Sequence, residues 1–316
     1  MGLSGRLAAQ ARYELLEAAL ASLSLNLLTQ SIAKRDKMRS AETNAVRLVN
    51  AEGDGISDLI IDDFAGNWLV QTSSKTAPVL PLIPGSLYWK LTEKGNRQLP
   101  VHIAGKKLES PFLVTESGLH FEIDFRSGYS PGLFLDQRNN RSRLRTNCNG
   151  RTVLNAFAYT CAFGVAAAVG GASTLNLDLS RHYLDWGTRN YLLNRIDPRN
   201  HGFIAGDVFE WLKSFSRRGR RFDIIILDPP TFSRDRKSRV FRVQDDFGTL
   251  AKLSVACLSE HGTILCCTNY RAITEQTFVK ILKDNMPRKM RFEPADMPPD
   301  FPGFPYLKSI WVTSCQ

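Results

Sequence analysis

No apolar run in this 316-residue chain reaches the ~18 residues that a membrane-spanning helix needs, so no transmembrane segment is expected. An export signal is missing too. The opening "MGLSGRLAAQARYELLEAALASLSL" carries charges inside its apolar stretch and reads as an amphipathic helix. Arg6 stands where a myristoylation pattern wants Ser or Thr. The six cysteines, Cys148, Cys161, Cys257, Cys266, Cys267 and Cys315, form no C-x-x-C pair, and the five histidines lie far from any pair. No metal site is therefore expected, and the thiols are expected to be reduced in a cytoplasmic protein. Internal repeats and low-complexity linkers are also absent.

Positive charge is plentiful. The formal net charge is +10. Arginine is concentrated in "DQRNNRSRLR" (136–145), "SRRGRR" (216–221) and "SRDRKSRVFR" (233–242). Arginine over lysine suits bidentate contacts to phosphate, so a polyanionic partner is expected, most simply nucleic acid.

Two rhythms divide the chain. Residues 1–40 alternate apolar and charged positions at helical spacing. From residue 44 the period shortens. Residues 45–50, 56–64 and 67–73 read as strands, with "AEGDG" as a glycine turn between the first two. A helix is expected around 85–94, after a proline-broken start, and "FLVTESG" with "LHFEIDF" reads as a hairpin. Residues 41–126 are thus expected to form a small α+β domain, a possible RNA-binding one. Residues 127–316 alternate strands with helices: strands at 151–157, 174–178, 202–207, 222–228 and 262–268, with helices between them. Short connections and this alternation predict an α/β fold with a doubly wound parallel sheet, which 306–314 would close as an antiparallel strand.

Ligands bind such sheets outside the carboxyl ends of the strands. Three acids stand there: Asp178, Asp207 and Asp228. Any one acid could simply cap the next helix. Ser180 is available for that task after Asp178, however, and three acids exceed what capping needs. Asp178 lies about as far past the first strand as an acid that reaches ribose hydroxyls. The turn after the first strand is Phe157-Ala158-Tyr159-Thr160-Cys161-Ala162-Phe163-Gly164. A single glycine and several bulky residues occupy the place where a pyrophosphate would need close backbone approach, which argues against NAD and ATP. A phosphate-free cofactor fits better, and S-adenosylmethionine has the required nucleoside and a cationic end to sit near carboxylates. After the fourth strand comes Asp228-Pro229-Pro230-Thr231-Phe232, a stiff turn with one carboxylate and no amide hydrogen at either proline.

Four stretches, "GYSPGLFLDQRNNR" (128–141), "NAFAYTCAFGVAAAVGGA" (155–172), "LDLSRHYLDWGTRNYLLN" (177–194) and "GDVFEWL…FDIIILDPPTFS" (206–233), together resemble the class I methyltransferases of large-subunit ribosomal RNA. That group includes cytosine-C5 and guanine-N7 enzymes, and its fold is a Rossmann-like sheet. "LVNAEGDGISDLIIDDF" is similar to the small domain that precedes catalysis in the group. The resemblance implies that Asp178 holds the cofactor ribose and Asp207 meets the adenine amino group. Phe157, Tyr159 and Thr160 would line the loop under the methionine end, and "FLDQR" (134–138) would lie over the cofactor with Phe134, Asp136 or Arg138 in reach. Ala162 departs from the glycine often found there.

The two chemistries of the group need different residues. Cytosine C5 requires a thiolate to add at C6. Guanine N7 already carries a lone pair and needs placement. Cys266 and Cys267 lie inside the apolar run "TILCCT", where a thiol is more often buried than reactive. Asn269 occupies the place past the strand where cytosine-type members resemble one another in having cysteine, and Thr231, not cysteine, follows the two prolines. Guanine-N7 methylation of RNA is the favoured expectation. Asp228 and the carbonyls of Pro229 and Pro230 would accept from a base amino group, Phe232 would stack on the base, and Asn269 would bond its rim. Arg234, Arg236, Arg239 and Arg242 would take phosphates. The alternatives are a cytosine-C5 enzyme with a cysteine nucleophile, a small-molecule or protein methyltransferase on the same fold, and an RNA-binding protein without activity.

Overall fold

The computed structural model describes residues 24–315 except 79, 81–84, 93–97, 128–129, 235–239 and 288, with the backbone alone at 232–234 and 240. The chain divides into two units that interleave in sequence. Met1–Thr115, Asp124–Pro131 and Pro299–Phe304 form one, and Glu116–Ile123, Gly132–Pro298 and Pro305–Gln316 form the other.

In the first unit, residues 24–36 are helical (α1), within the segment expected to be so. The expected helix up to residue 23 lies outside the described residues. Five strands follow in one sheet: β1 (Ala45–Asn50), β2 (Ile60–Phe64), β3 (Asn67–Thr72), β4 (Ser86–Leu91) and β5 (Val101–Gly105), in that spatial order. Only the β3–β4 pair is parallel. Val46, Leu48, Ile61, Val70 and Leu87 pack with Leu28 of α1 in one apolar cluster. A buried pair, Arg35 with Asp54 at 2.7 Å, fixes α1 to the turn at Ala51–Asp54. That turn ends at Gly55 with φ 71°, a conformation glycine adopts without a Cβ clash.

The helix expected around 85–94 is absent, and Ser86–Leu91 is a strand. The sequence "SLYWKL" buries residues on both faces, Leu87 in the apolar cluster with Leu28 and Tyr88 against the rings of Phe125 and His102. A strand buried on both faces shows no alternation, and its run of bulky residues then reads equally well as a helix. The expected hairpin is present as β6 (Phe112–Glu116) and β7 (Leu119–Ile123).

The second unit is built on β8 (Thr152–Ala156), β9 (Ser173–Asp178), β10 (Gly202–Ala205), β11 (Phe222–Leu227), β14 (Leu258–Thr268), β15 (Met290–Ala295) and β16 (Lys308–Ser314), with a separate short ladder of β12 (Phe232–Arg234) and β13 (Val240–Arg242). The seven-stranded order is β10-β9-β8-β11-β14-β16-β15. The first five strands are parallel, and β16 closes antiparallel to β14 and β15. Helices α2 (Arg138–Thr146), α3 (Ala162–Val169), α4 (Arg181–Leu193), α5 (Val208–Arg217), α6 (Val243–Val255) and α7 (Glu275–Asn285) connect them. The doubly wound α/β sheet expected from the alternation is therefore present. β15 was not foreseen.

Small residues explain how tightly α3 sits. A Cβ on Gly164 would lie 2.1 Å from Asn176 Oδ1 and 2.6 Å from the Tyr191 hydroxyl, so only glycine fits between helix and sheet. Successive strands 1 and 4 of the alternation, β8 and β11, are neighbours in register, with Ala156 opposite Leu227. The chain winds away from them in opposite directions. Their carboxyl ends form the crevice at which such sheets bind ligands.

Candidate active site

The turn leaving β8 is strained. Phe157, Tyr159 and Cys161 have φ of 59°, 48° and 61°, left-handed values that bulky side chains rarely adopt. Specific partners hold it there. Asp178, at the end of β9, accepts from the Tyr159 amide through Oδ2 at 2.9 Å and from the Ser180 amide through Oδ1 at 2.8 Å. Thr160 donates its hydroxyl to the Gly132 carbonyl at 2.6 Å, and Asn190 Nδ2 donates to the Thr160 carbonyl at 2.9 Å. Gly132 itself has φ 121°, and a Cβ there would lie 2.6 Å from Trp186. The ring of Phe134 meets that of Tyr159 at 5.4 Å, and Tyr159 meets Tyr183 edge-on at 4.6 Å. Ser180 caps α4, as expected, accepting from the Tyr183 amide. Burial raises the Asp178 carboxyl above its usual range, against the two amide hydrogen bonds that lower it. Each carboxylate oxygen keeps a second lone pair for a ligand hydroxyl.

Asp228 follows β11 directly and is half-buried. Its Oδ2 accepts from Gln137 Nε2 at 3.0 Å. Burial, and then the nearby charge of Asp136, push this carboxyl up to about 7, while Gln137 and Arg141 pull the other way. Asp136 in turn accepts from the Tyr306 hydroxyl at 2.8 Å. Pro229 is buried and Pro230 exposed. Thr231 donates its hydroxyl to Asn269 Oδ1 at 2.5 Å and thereby ties the exit of β11 to that of β14. The Phe232 side chain and residues 235–239, which include Arg236 and Arg239, lie outside the described part.

Other expected residues are held by partners of their own, and Asp207 follows Gly206, whose amide donates to the Asp178 carbonyl at 2.8 Å. Asp207 caps α5, its Oδ1 accepting from the Glu210 amide at 2.9 Å. Arg138 lies against Glu116, with Nε 3.8 Å from the carboxylate. The same acid holds buried Arg141 by two 2.7 Å hydrogen bonds. Arg143 pairs with Glu293 at 2.7 Å, and Arg145 donates to the Ser117 carbonyl at 2.8 Å. The arginines of 136–145, read from sequence as phosphate ligands, are thus bound within their own unit. By contrast, Arg217, Arg218, Arg220 and Arg221 are exposed, at the amino end of β11 and away from the carboxyl crevice.

A family model described as S-adenosylmethionine-dependent methyltransferase matches residues 98–309. The chain belongs to this family. It is 33% identical over 313 residues to YwbD of Bacillus subtilis, provisionally named a ribosomal RNA large subunit methyltransferase, covering 90% of this chain and 79% of YwbD. It is 36% identical over 233 residues to ribosomal RNA large subunit methyltransferase K of Neisseria meningitidis, covering 71% of this chain and 66% of that protein. Ribosomal RNA large subunit methyltransferase K/L of Psychrobacter shares 40% identity over 190 residues, and the match spans only 23% of it. Among solved structures, SMU.776, a provisionally assigned methyltransferase with S-adenosylhomocysteine bound, superposes with a TM-score of 0.85 at 30% identity, covering 92% of this chain and 81% of that one.

The site of this methyltransferase suits its cofactor chemically. Asp178, Asp228 and Asp136 present acceptors and negative charge at the crevice. Such a set repels a pyrophosphate and favours hydroxyls and a cationic sulfonium end. The Tyr159 amide, which a phosphate loop would aim at its ligand, is spent on Asp178. Among the described residues there is no cluster of three His, Cys, Asp or Glu side chains to hold a metal, and no helix long and apolar enough to cross a membrane.

Cysteine positions bear on the chemistry. Cys266 and Cys267 are fully buried on opposite faces of β14, in separate apolar clusters, and burial pushes both thiols far up. Cys148, Cys161 and Cys257 are buried as well. Exposed Cys315 follows β16, whose antiparallel register places it beside the amino end of β14, away from the crevice. Sequence reading missed Gln137, which donates to Asp228, and Asn140, Ser309 and Trp311, which are hydrogen-bonded in a line behind it. The pattern "FLDQRNN" held the only local hint.

Proposed function

We propose that this methyltransferase acts on ribosomal RNA of the large subunit and methylates a base nitrogen, with guanine N7 as the target. The names of its relatives, the net charge of +10 and the exposed arginines at 217–221 support RNA as the substrate. Ribosomal RNA as the substrate would put the enzyme in the cytoplasm. The small domain around 41–126 would add RNA contacts. The observation that carries the chemistry is the burial of Cys266 and Cys267 together with Asn269 at the mouth of the site. A cytosine-C5 mechanism needs a thiolate able to reach the base.

In this reading the cofactor supplies an electrophilic methyl group, and the protein's part is placement. Asp178 accepts from the ribose hydroxyls, Asp207 stands by the adenine, and Phe134, Phe157, Tyr159 and Thr160 shape the walls. Asp228 and the carbonyls of Pro229 and Pro230 accept from a base amino group. Phe232 stacks on the base. Asn269, whose oxygen is engaged by Thr231, turns its amide N–H towards a base carbonyl.

Methyl transfer to RNA by the variant carrying both Cys266→Ala and Cys267→Ala tests the chemistry. Activity within about threefold of the parent is expected, since deleting two small buried groups costs stability and not function. Loss of transfer with fold and cofactor affinity intact would instead establish the cysteine route.

A further inference from the structure

An indole N–H gives one hydrogen bond and receives none. In this fold that asymmetry begins a chain. Trp311 on β16 donates through Nε1 to Asn140 Oδ1 at 3.0 Å. The Asn140 oxygen must therefore face Trp311, and its amide nitrogen faces away. That nitrogen donates to Gln137 Oε1 at 2.7 Å and to Ser309 Oγ at 2.9 Å. With its oxygen so engaged, Gln137 turns its own nitrogen to Asp228 Oδ2 at 3.0 Å. Turning either amide over would set donor against donor. Gln137, Asn140, Ser309 and Trp311 are all buried, so an amide turned over would find no water to repair the mismatch.

The architecture produces this order. Gln137 immediately precedes α2, and Asn140 lies one turn on. Ser309 and Trp311 are two apart on β16 and share a face. Neither local pattern has any need of a polar group. Together they thread a line of hydrogen bonds from the interior to the carboxyl end of β11.

We propose that Trp311, acting through Asn140 and Gln137, is a positioning residue that makes Asp228 Oδ2 an obligate acceptor and confines any proton on this carboxyl to Oδ1, the oxygen left for the base. Among the described residues Oδ1 has no hydrogen-bond partner. The proposal rests on the reading that Asp228 accepts from the base. Other charged or titratable groups around Asp228 are Asp136, Arg141 and the buried thiol of Cys267. Asp136, Arg141 and Cys267 remain in every variant below.

Trp311→Phe keeps a ring and removes the N–H. Asn140 and then Gln137 can turn over, so that Gln137 offers its oxygen to Asp228 and favours the protonated carboxyl. The experiment is a carboxyl-carbon NMR titration of Asp228, its signal assigned by Asp228→Asn, paired with the pH profile of kcat/KM for methylation of unmodified ribosomal RNA. Trp311→Phe is expected to raise the Asp228 pKa by at least about half a unit and to move the acid limb of kcat/KM equally, with KM for S-adenosylmethionine unchanged within about twofold. Gln137→Met, which removes the last link, is expected to raise it too. The double variant should show no further shift beyond Gln137→Met alone. Ser309→Ala, which cuts only the side branch, should leave the pKa unchanged. Unaltered titration in Gln137→Met, or additive shifts in the double variant, would overturn the relay. If Trp311→Phe does not fold, Asn140→Leu takes its place in the same comparison, since it cuts the line behind Gln137, and an unaltered titration there would overturn the relay. The underlying reading fails separately: an acid limb that persists in Asp228→Asn shows that Asp228 does not serve the base, whatever the NMR titration gives.

Discussion

Asp228→Asn is expected to lower kcat for RNA methylation by about two to three orders of magnitude, the size of effect seen when one preorganised polar group leaves a reacting centre. Affinity for S-adenosylmethionine should fall less than about tenfold, because in the proposed arrangement Asp178 would still hold the nucleoside end. The reason lies in direction as well as charge. Gln137 presents an N–H to Oδ2, so an asparagine at 228 must turn its oxygen to Gln137. Its NH2 then occupies the Oδ1 position and, in the proposed arrangement, would face the amino group of the base, donor against donor. In the parent enzyme, kcat/KM should rise with pH through about 7, the value to which burial and Asp136 push this carboxyl, and then level off. The variant should show no such limb. Stability should move the other way. The folded state holds the Asp228 proton up to about 7, whereas the unfolded chain releases it near 3.8. The fold therefore binds more protons across that window, and its stability declines as pH rises from about 4 to about 7. Asp63, pushed up to about 6 by burial, contributes in the same sense. The difference in melting temperature between parent and Asp228→Asn across this range isolates the Asp228 share.

Asp178→Asn is expected to weaken S-adenosylmethionine binding by at least about 100-fold in a calorimetric titration. Two hydroxyl hydrogen bonds to a charged acceptor are worth roughly 1.5–3 kcal/mol each, and about 2.7 kcal/mol is already 100-fold. A second loss adds to it. Both oxygens of Asp178 receive backbone N–H groups, from Tyr159 and Ser180. Asparagine must set its own NH2 against one of them, and the turn that forces Phe157, Tyr159 and Cys161 into left-handed backbone loses its anchor. A drop in melting temperature should accompany the loss of affinity. Unchanged affinity would remove Asp178 from the cofactor site.

The methyltransferase sheet was legible because its strands are short apolar runs with acids at their ends. "TLNLD" and "FDIIILD" each stop at the residue that the fold then uses. Ser180 was readable as a cap because serine before a helix has a local purpose. The misreadings share one cause, tertiary context that no window contains. Ser86–Leu91 lost its alternation through burial on both faces. The arginines at 138, 141, 143 and 145 looked free until Glu116, Glu293 and a carbonyl met them. The polar residues around Asp228 were silent for the same reason, since Trp311 and Asn140 meet across 171 positions. β15 and β5 passed unnoticed because their burial is partial and their patterns weak.

Mass-spectrometric mapping of modified nucleosides in the RNA of a strain lacking this protein tests the central claim most directly. The account predicts that one 7-methylguanosine of the large-subunit ribosomal RNA disappears and returns when the parent gene, but not Asp228→Asn, is restored. Loss of a 5-methylcytidine instead, or ribosomal RNA with every modification in place, would contradict it.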